Sequence, residues 1–123
     1  MASIAAAFAN ACLDAAIALL NGGTVELQDA SDVEVATGTL NATALSGSSS
    51  GGVGTLNAIT KDDACAGGGP ITKAVFKTSG ATALVEATCA ESGGELTIDN
   101  DSPVAGVDVV FGTVTFTMAV TAL

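Results

Sequence analysis

The chain contains no His, no Trp and no Tyr, and its only basic residues are Lys61, Lys73 and Lys77. Each absence removes a class of function. Without His there is no Ser-His-Asp or Cys-His relay, and most zinc sites lose a ligand. Three lysines against 13 acids give a formal net charge of -10. No basic stripe is available to follow a phosphate backbone, so direct nucleic-acid binding is not expected. With 4 Phe as the only aromatics, stacking platforms for a sugar are nearly absent. The 3 Cys, at positions 12, 65 and 89, are odd in number, widely spaced and form no CxxC. That spacing suggests neither a metal site nor a disulfide framework. Free thiols in a protein made in a reducing cytoplasm are expected, with a Cys65–Cys89 bridge as the open alternative.

What is present fits one domain spanning residues 1–123. A chain of this size buries roughly two-thirds of its extended surface. Its core must be built from Val, Ile, Leu and much Ala, residues that suit a thin, regular sandwich. The acidity serves solubility, or one side of an electrostatic match to a basic partner. The opening "MASIAAAFANACLDAAIALL" lacks a basic n-region and carries Asn10 and Asp14 inside its apolar run. It reads as a buried helix rather than a signal peptide, and it is short for a membrane span. No membrane partner is expected.

Residues 3–21 form the predicted helix, with Ser3 as a cap. Asn10, Asp14 and Asn21 share one face. Ile4, Phe8, Cys12, Ala15 and Leu19 form an apolar stripe, widened by Leu13, Ile17 and Leu20. Gly22-Gly23 ends the helix through a left-handed cap. Over residues 24–120, short runs of Val, Thr, Ile and Leu alternate with Gly, Ser, Asn and Asp, the texture of an antiparallel β domain. "TVELQD" alternates cleanly, with Val25 and Leu27 on one side. After an acidic turn over 29–34, "GTLNATAL" and "VGTLNAIT" are expected strands, joined by the flexible "SGSSSGG". "DDACAGGGP" is a long glycine loop. A hairpin with arms 71–77 and 81–88 turns at Thr78-Ser79-Gly80. Another strand covers 95–99.

The last expected strand, 107–120, changes phase. Val107, Val109 and Phe111 are apolar at odd positions, and Val114, Phe116, Met118 and Val120 at even ones. A period of two cannot keep both sets on one face. A β-bulge at Gly112-Thr113 would restore a common face.

Several pieces, taken together, resemble a known family. They are "ALLNGGTVEL", "ATGTLNATAL", "SGGVGTLNAIT", the hairpin "AVFKTSGATALVEA", "GGELTIDN" and the threonine-rich "GTVTFTM". Their order and spacing are similar to those of small proteins from tailed-bacteriophage structural gene modules, over residues 18–118. The connection at 47–52 is shorter and more serine-rich than in that family, and the loop at 62–70 carries a cysteine. The resemblance implies a virion structural protein, and within that class a capsid decoration (cement) protein. Such a protein binds the exterior of the shell, bridges major capsid proteins and is often a homotrimer. A tail, neck or fibre component, or a host- or glycan-binding display module, is the alternative.

The remaining motifs weigh toward plain structure. In "LTIDNDSPVAGVDVVFG", Asp99 and Asp101 could open a calcium loop. The fifth, sixth and twelfth positions would then be Pro103, Val104 and Val110, where a ligand, a glycine and a glutamate are required. A turn is expected instead, with Asn100 and the acids bonding local backbone. Asp62-Asp63 reads as a solvated loop, or as a docking contact to a basic capsid surface. "GSSSGGVG" lacks the Lys-Ser/Thr ending of a phosphate loop, and nothing activates Ser48, Ser49 or Ser50. No enzyme activity, cofactor or metal is therefore expected. The predicted fold is a single jelly-roll-like antiparallel sandwich of seven or eight strands with one N-terminal helix.

Overall fold

The computed structural model describes residues 4–118 and 120. Its elements are α1 (Ala6–Ala18), β1 (Thr24–Asp29), β2 (Glu34–Thr39), β3 (Val53–Thr55), β4 (Ile71–Lys77), β5 (Ala83–Ala90), β6 (Leu96–Thr97) and β7 (Thr115–Thr117). The mainly β class with one helix holds. The strands divide into a five-stranded sheet, ordered β2-β1-β4-β5-β6, and a separate β3-β7 pair. The larger sheet curls into a half-barrel. This differs from the expected sandwich of seven or eight strands. The segments between the ladders dock through isolated bridges, such as Thr39↔Thr60, Leu45↔Leu56 and Asp62↔Val109. Pairing is also not wholly antiparallel, because β5 and β6 run parallel through Cys89↔Leu96 and Ala90↔Thr97.

β1 occupies the residues its alternation predicts, and Val25 and Leu27 are fully buried. The cross-strand rows explain how so few large residues fill the concave face. One row runs Gly38, Val25, Phe76, Val85 and the next runs Ala36, Leu27, Ala74, Ala87. Alanines flank Leu27 in one row and valines flank Phe76 in the other, so a large residue stands beside smaller ones in each. The β4–β5 hairpin forms as expected. Its turn is longer, closed by Thr78 N–H to Thr82 O at 2.9 Å, and Ala81 rather than Gly80 takes positive φ. The strand expected at "GTLNATAL" lies earlier, as β2. Past Thr39 the chain leaves the sheet, with Leu40 N–H donating to Gly23 O and Gly22 N–H to Asn41 O, both at 2.9 Å.

The helix is shorter than residues 3–21, and Ser3 lies outside the described residues. Ala5 occupies the N-cap position without a side-chain bond. Its buried row is Ala9, Leu13 and Ile17, continued by Leu20. The stripe expected at 4, 8, 12, 15 and 19 is displaced outward: Phe8, Ala15 and Leu19 are exposed. The polar residues account for the rotation. Asn10 and Asp14 sit beside the buried row and turn toward the 44–52 segment, which they bond.

The final segment keeps Val109, Phe111, Val114, Phe116 and Met118 toward one core by another device, whereas Val107 and Val120 are exposed. Val109, Phe111 and Val114 are buried, and Phe116 and Met118 pack against the same core. The single strand over 107–120 and its bulge are not present; only 115–117 enter a ladder. Before Gly112 the chain pairs toward β6, through Ile98↔Phe111 and Gly112 N–H to Thr97 O at 2.7 Å. From Val114 onward it serves β3, whose neighbour Leu56 donates N–H to Val114 O at 2.9 Å. The phase change is a switch of partners between the two sheets.

Candidate interaction surface

Two side chains of α1 fasten the "SGSSSGG" connection, and Asn21 beyond the helix fastens Ala44 just before it. Asn10 Oδ1 accepts from Gly52 N–H at 2.9 Å, Asp14 Oδ1 from Ser49 N–H at 2.8 Å, and Asn21 Oδ1 from Ala44 N–H at 2.8 Å. Ser49 holds the Asp14 carboxyl below the ordinary aspartate range, and its backbone N–H makes the attachment, because the buried Ser49 hydroxyl has no partner in hydrogen-bonding geometry. The connection is a tight hairpin rather than a flexible linker. Ser50 and Val53 exchange both backbone bonds at 3.0 Å around Gly51 and Gly52, which have φ of 60° and 79°. Positive φ at both central residues is what a type I′ hairpin turn requires, and the Gly-Gly pair was the readable signal.

In the 99–101 motif only Asn100 bonds neighbouring backbone; the expected local backbone bonds of the two acids are replaced by a longer-range bond and a side-chain bond. Asp99 Oδ1 accepts from Val110 N–H at 2.9 Å and Asn100 Oδ1 from Ser102 N–H at 3.0 Å. Asp101 Oδ1 accepts from the Ser102 hydroxyl at 3.1 Å. The Asn100 bond is turn chemistry, whereas Asp99 ties the segment to Val110 eleven residues on. Asp62 braces the sheet edge, accepting from Thr37 N–H at 2.8 Å and Ala64 N–H at 3.0 Å. It is half-buried, whereas Asp63 is exposed. Of the two acids weighed as a docking contact, only Asp63 faces outward. Among the described residues, no group of three or more His, Cys, Asp or Glu is placed to hold a metal ion. No described helix is long and apolar enough to cross a membrane. All three cysteines are free. Cys65 Sγ donates to Val104 O at 3.3 Å. Burial, with a smaller contribution from the Asp101 charge, pushes the Cys89 thiol up to about 11.

Every lysine is committed internally: Lys61 to Asp108 at 2.6 Å, Lys77 to Glu26 at 3.1 Å, and Lys73 to Asp32. Ten of the 13 acids therefore have no lysine at ion-pair distance. Against this acidic background the outward face of α1 is uncharged. Its one charged residue, Asp14, is turned to Ser49, while Phe8 (61% exposed) and the C-cap Leu19 (60%) stand in solvent among exposed alanines. A second apolar group, Val104, Val107 and Val110, is exposed on the loop before Phe111.

Beside α1 lies an open apolar cleft of about 320 Å³, lined by Leu13, Leu19, Leu20, Leu84, Val85 and Phe116 among others. It occupies the seam of the half-barrel, between the start of β5 and β7. The sequence does not announce it, because it joins segments far apart in the chain and no local pattern couples Leu84 to Leu19. No family model, no curated protein and no solved structure matches the chain.

Proposed function

We propose that the chain is a virion structural protein: a capsid decoration (cement) subunit, made in the host cytoplasm, that sits as a trimer on the shell exterior of a tailed-phage particle and bridges major capsid proteins. The observation that carries this reading is the uncharged outer face of α1. A helix apolar on both sides is normally covered, and a chain of net charge -10 has acids to spare for that face if water were its lasting neighbour. Burial in an assembly accounts for it. The five-stranded sheet, faced by the β3-β7 pair and α1, is on this reading an abbreviated jelly-roll-like sandwich. Added interface makes separating capsomers costlier, and interfaces of about 1,200–2,000 Å² suffice for specific attachment. Repetition over the shell multiplies the effect. The test is a particle that lacks the protein. Such particles should assemble yet tolerate heat and osmotic shock less well; unchanged robustness would count against a cement role.

A further inference from the structure

The two edges of the five-stranded sheet are treated differently. The β2 edge is occupied along its length: Gly67 N–H donates to Val35 O, the Asp62 carboxylate accepts from Thr37 N–H, and Thr39 and Thr60 exchange backbone bonds at 2.9 and 3.1 Å. At the other edge, β6 covers only the last two residues of β5, with Thr88 N–H capped by Glu95 Oε1 at 3.0 Å. Ile98 N–H donates to Ala90 O at 3.1 Å. Even-numbered residues of β5 therefore point their backbone groups away from β4. By that alternation the Glu86 N–H and C=O point outward, next to the irregularity that leaves Leu84 unpaired between Phe76↔Val85 and Lys77↔Ala83. Among the described residues nothing pairs with this half-edge. The apolar cleft opens beside it, and Leu84 and Val85 belong to both.

A free edge of this kind accepts a strand, and charge decides which strand. Glu86 is exposed and makes no hydrogen bond or ion pair among the described residues; Lys73 on the neighbouring strand is near enough to feel its charge but is bonded to Asp32. Two copies pairing antiparallel about Glu86 would set carboxylate against carboxylate. A cation on the incoming strand meets the opposite situation. We propose that residues 83–87 of β5 take up an extended segment of a partner protein, with apolar side chains directed into the cleft and Lys or Arg placed against Glu86. The inference needs no particular location in a particle.

The test uses the full chain and a short capped peptide alternating valine with lysine, beside the same peptide carrying glutamate for lysine. Followed by amide NMR and titrated to about 1 mM, the lysine peptide should give saturable shifts over residues 83–87. Exchange of the Glu86 N–H should slow at least about tenfold, and the glutamate peptide should not bind. Glu86→Lys alters an exposed side chain without hydrogen bonds and loses only its attraction to Lys73, so the amide spectrum should keep the dispersion of the parent. It should weaken the lysine peptide at least about fivefold and admit the glutamate peptide. Absence of saturation would overturn the proposal and leave Glu86 as a residue that blocks edge pairing. Equal binding of both peptides, or protection elsewhere, would overturn it in favour of a nonspecific apolar cleft. Self-association that protects Glu86 without peptide would make a second copy the occupant. Particle robustness is a separate readout, so failure of the cement reading and failure of this one remain distinguishable.

Discussion

Gly22 and Gly23 adjoin one another and are glycines for different reasons. Gly22 takes φ +67° with open space where a Cβ would stand. At Gly23 a Cβ would fall on the Lys77 carbonyl oxygen; the demand is for close approach of two backbones. Gly22→Ala should cost about 1–2 kcal/mol, the left-handed penalty, and Gly23→Ala about 3 kcal/mol or more, because backbone must move. Denaturant unfolding of both variants checks the order, and equal costs would show that the close contact relaxes freely. Asp14 makes a prediction with a sign. Its carboxyl is held down by Ser49, so its contribution is complete above the unfolded value of about 3.9 and is lost as pH falls through the lower folded value. The Ser49 amide resonance should titrate with a midpoint below about 3.9; a midpoint at or above that would mean the carboxylate is not held. The cysteines separate by burial. A thiol reagent at neutral pH should label half-buried Cys12 first and spare Cys65 and Cys89 until the chain unfolds. A native mass lower by two hydrogens would instead reveal a Cys65–Cys89 bridge.

At the scale of elements, the parts that local pattern controls were legible. β1 alternates Val25 and Leu27 inward, and the 71–90 hairpin carries its own turn. The outward rotation of α1 was not legible, because Leu13 and Ile17 compete with Phe8 and Leu19 for the core. The winner depends on where Gly52 and Ser49 present N–H groups to Asn10 and Asp14. Asn10→Ala should cost about 0.5–1.5 kcal/mol and free the 50–53 hairpin. The phase change at Gly112 was readable as an irregularity. Its nature depends on β6 and β3 standing on either side of it, which no local window contains. Phe76 is fully buried and meets Phe116 edge-on, with centroids 5.3 Å apart at 77°. Phe76→Ala should therefore cost about 3–5 kcal/mol and Phe116→Ala, half-buried, distinctly less. Equal losses would place Phe116 deeper than its exposure implies. The candidate surface was legible only in part. Composition told that α1 had apolar residues to spare, but the cleft at Leu84 and Phe116 needed the folded chain.

At the scale of the whole molecule, charge and apolar surface are segregated. Nine of the ten acids without a lysine partner lie outside α1, on loops and strands, whereas α1 carries only Asp14, turned to Ser49, and the adjoining cleft is lined by uncharged residues. A lone soluble chain gains nothing from leaving Phe8 and Leu19 in water; a subunit gains an interface. Phe8→Glu should leave monomer unfolding within about 0.5 kcal/mol of the parent, since the side chain is mostly exposed, and under the proposed cement role it should abolish attachment to particles. The most direct measurement is a map of the phage particle in which this chain is located. The account predicts it on the shell exterior, contacting the major capsid protein, with the Phe8–Leu19 face of α1 covered by a neighbouring chain. A particle without the chain, or with that face open to solvent, would contradict it.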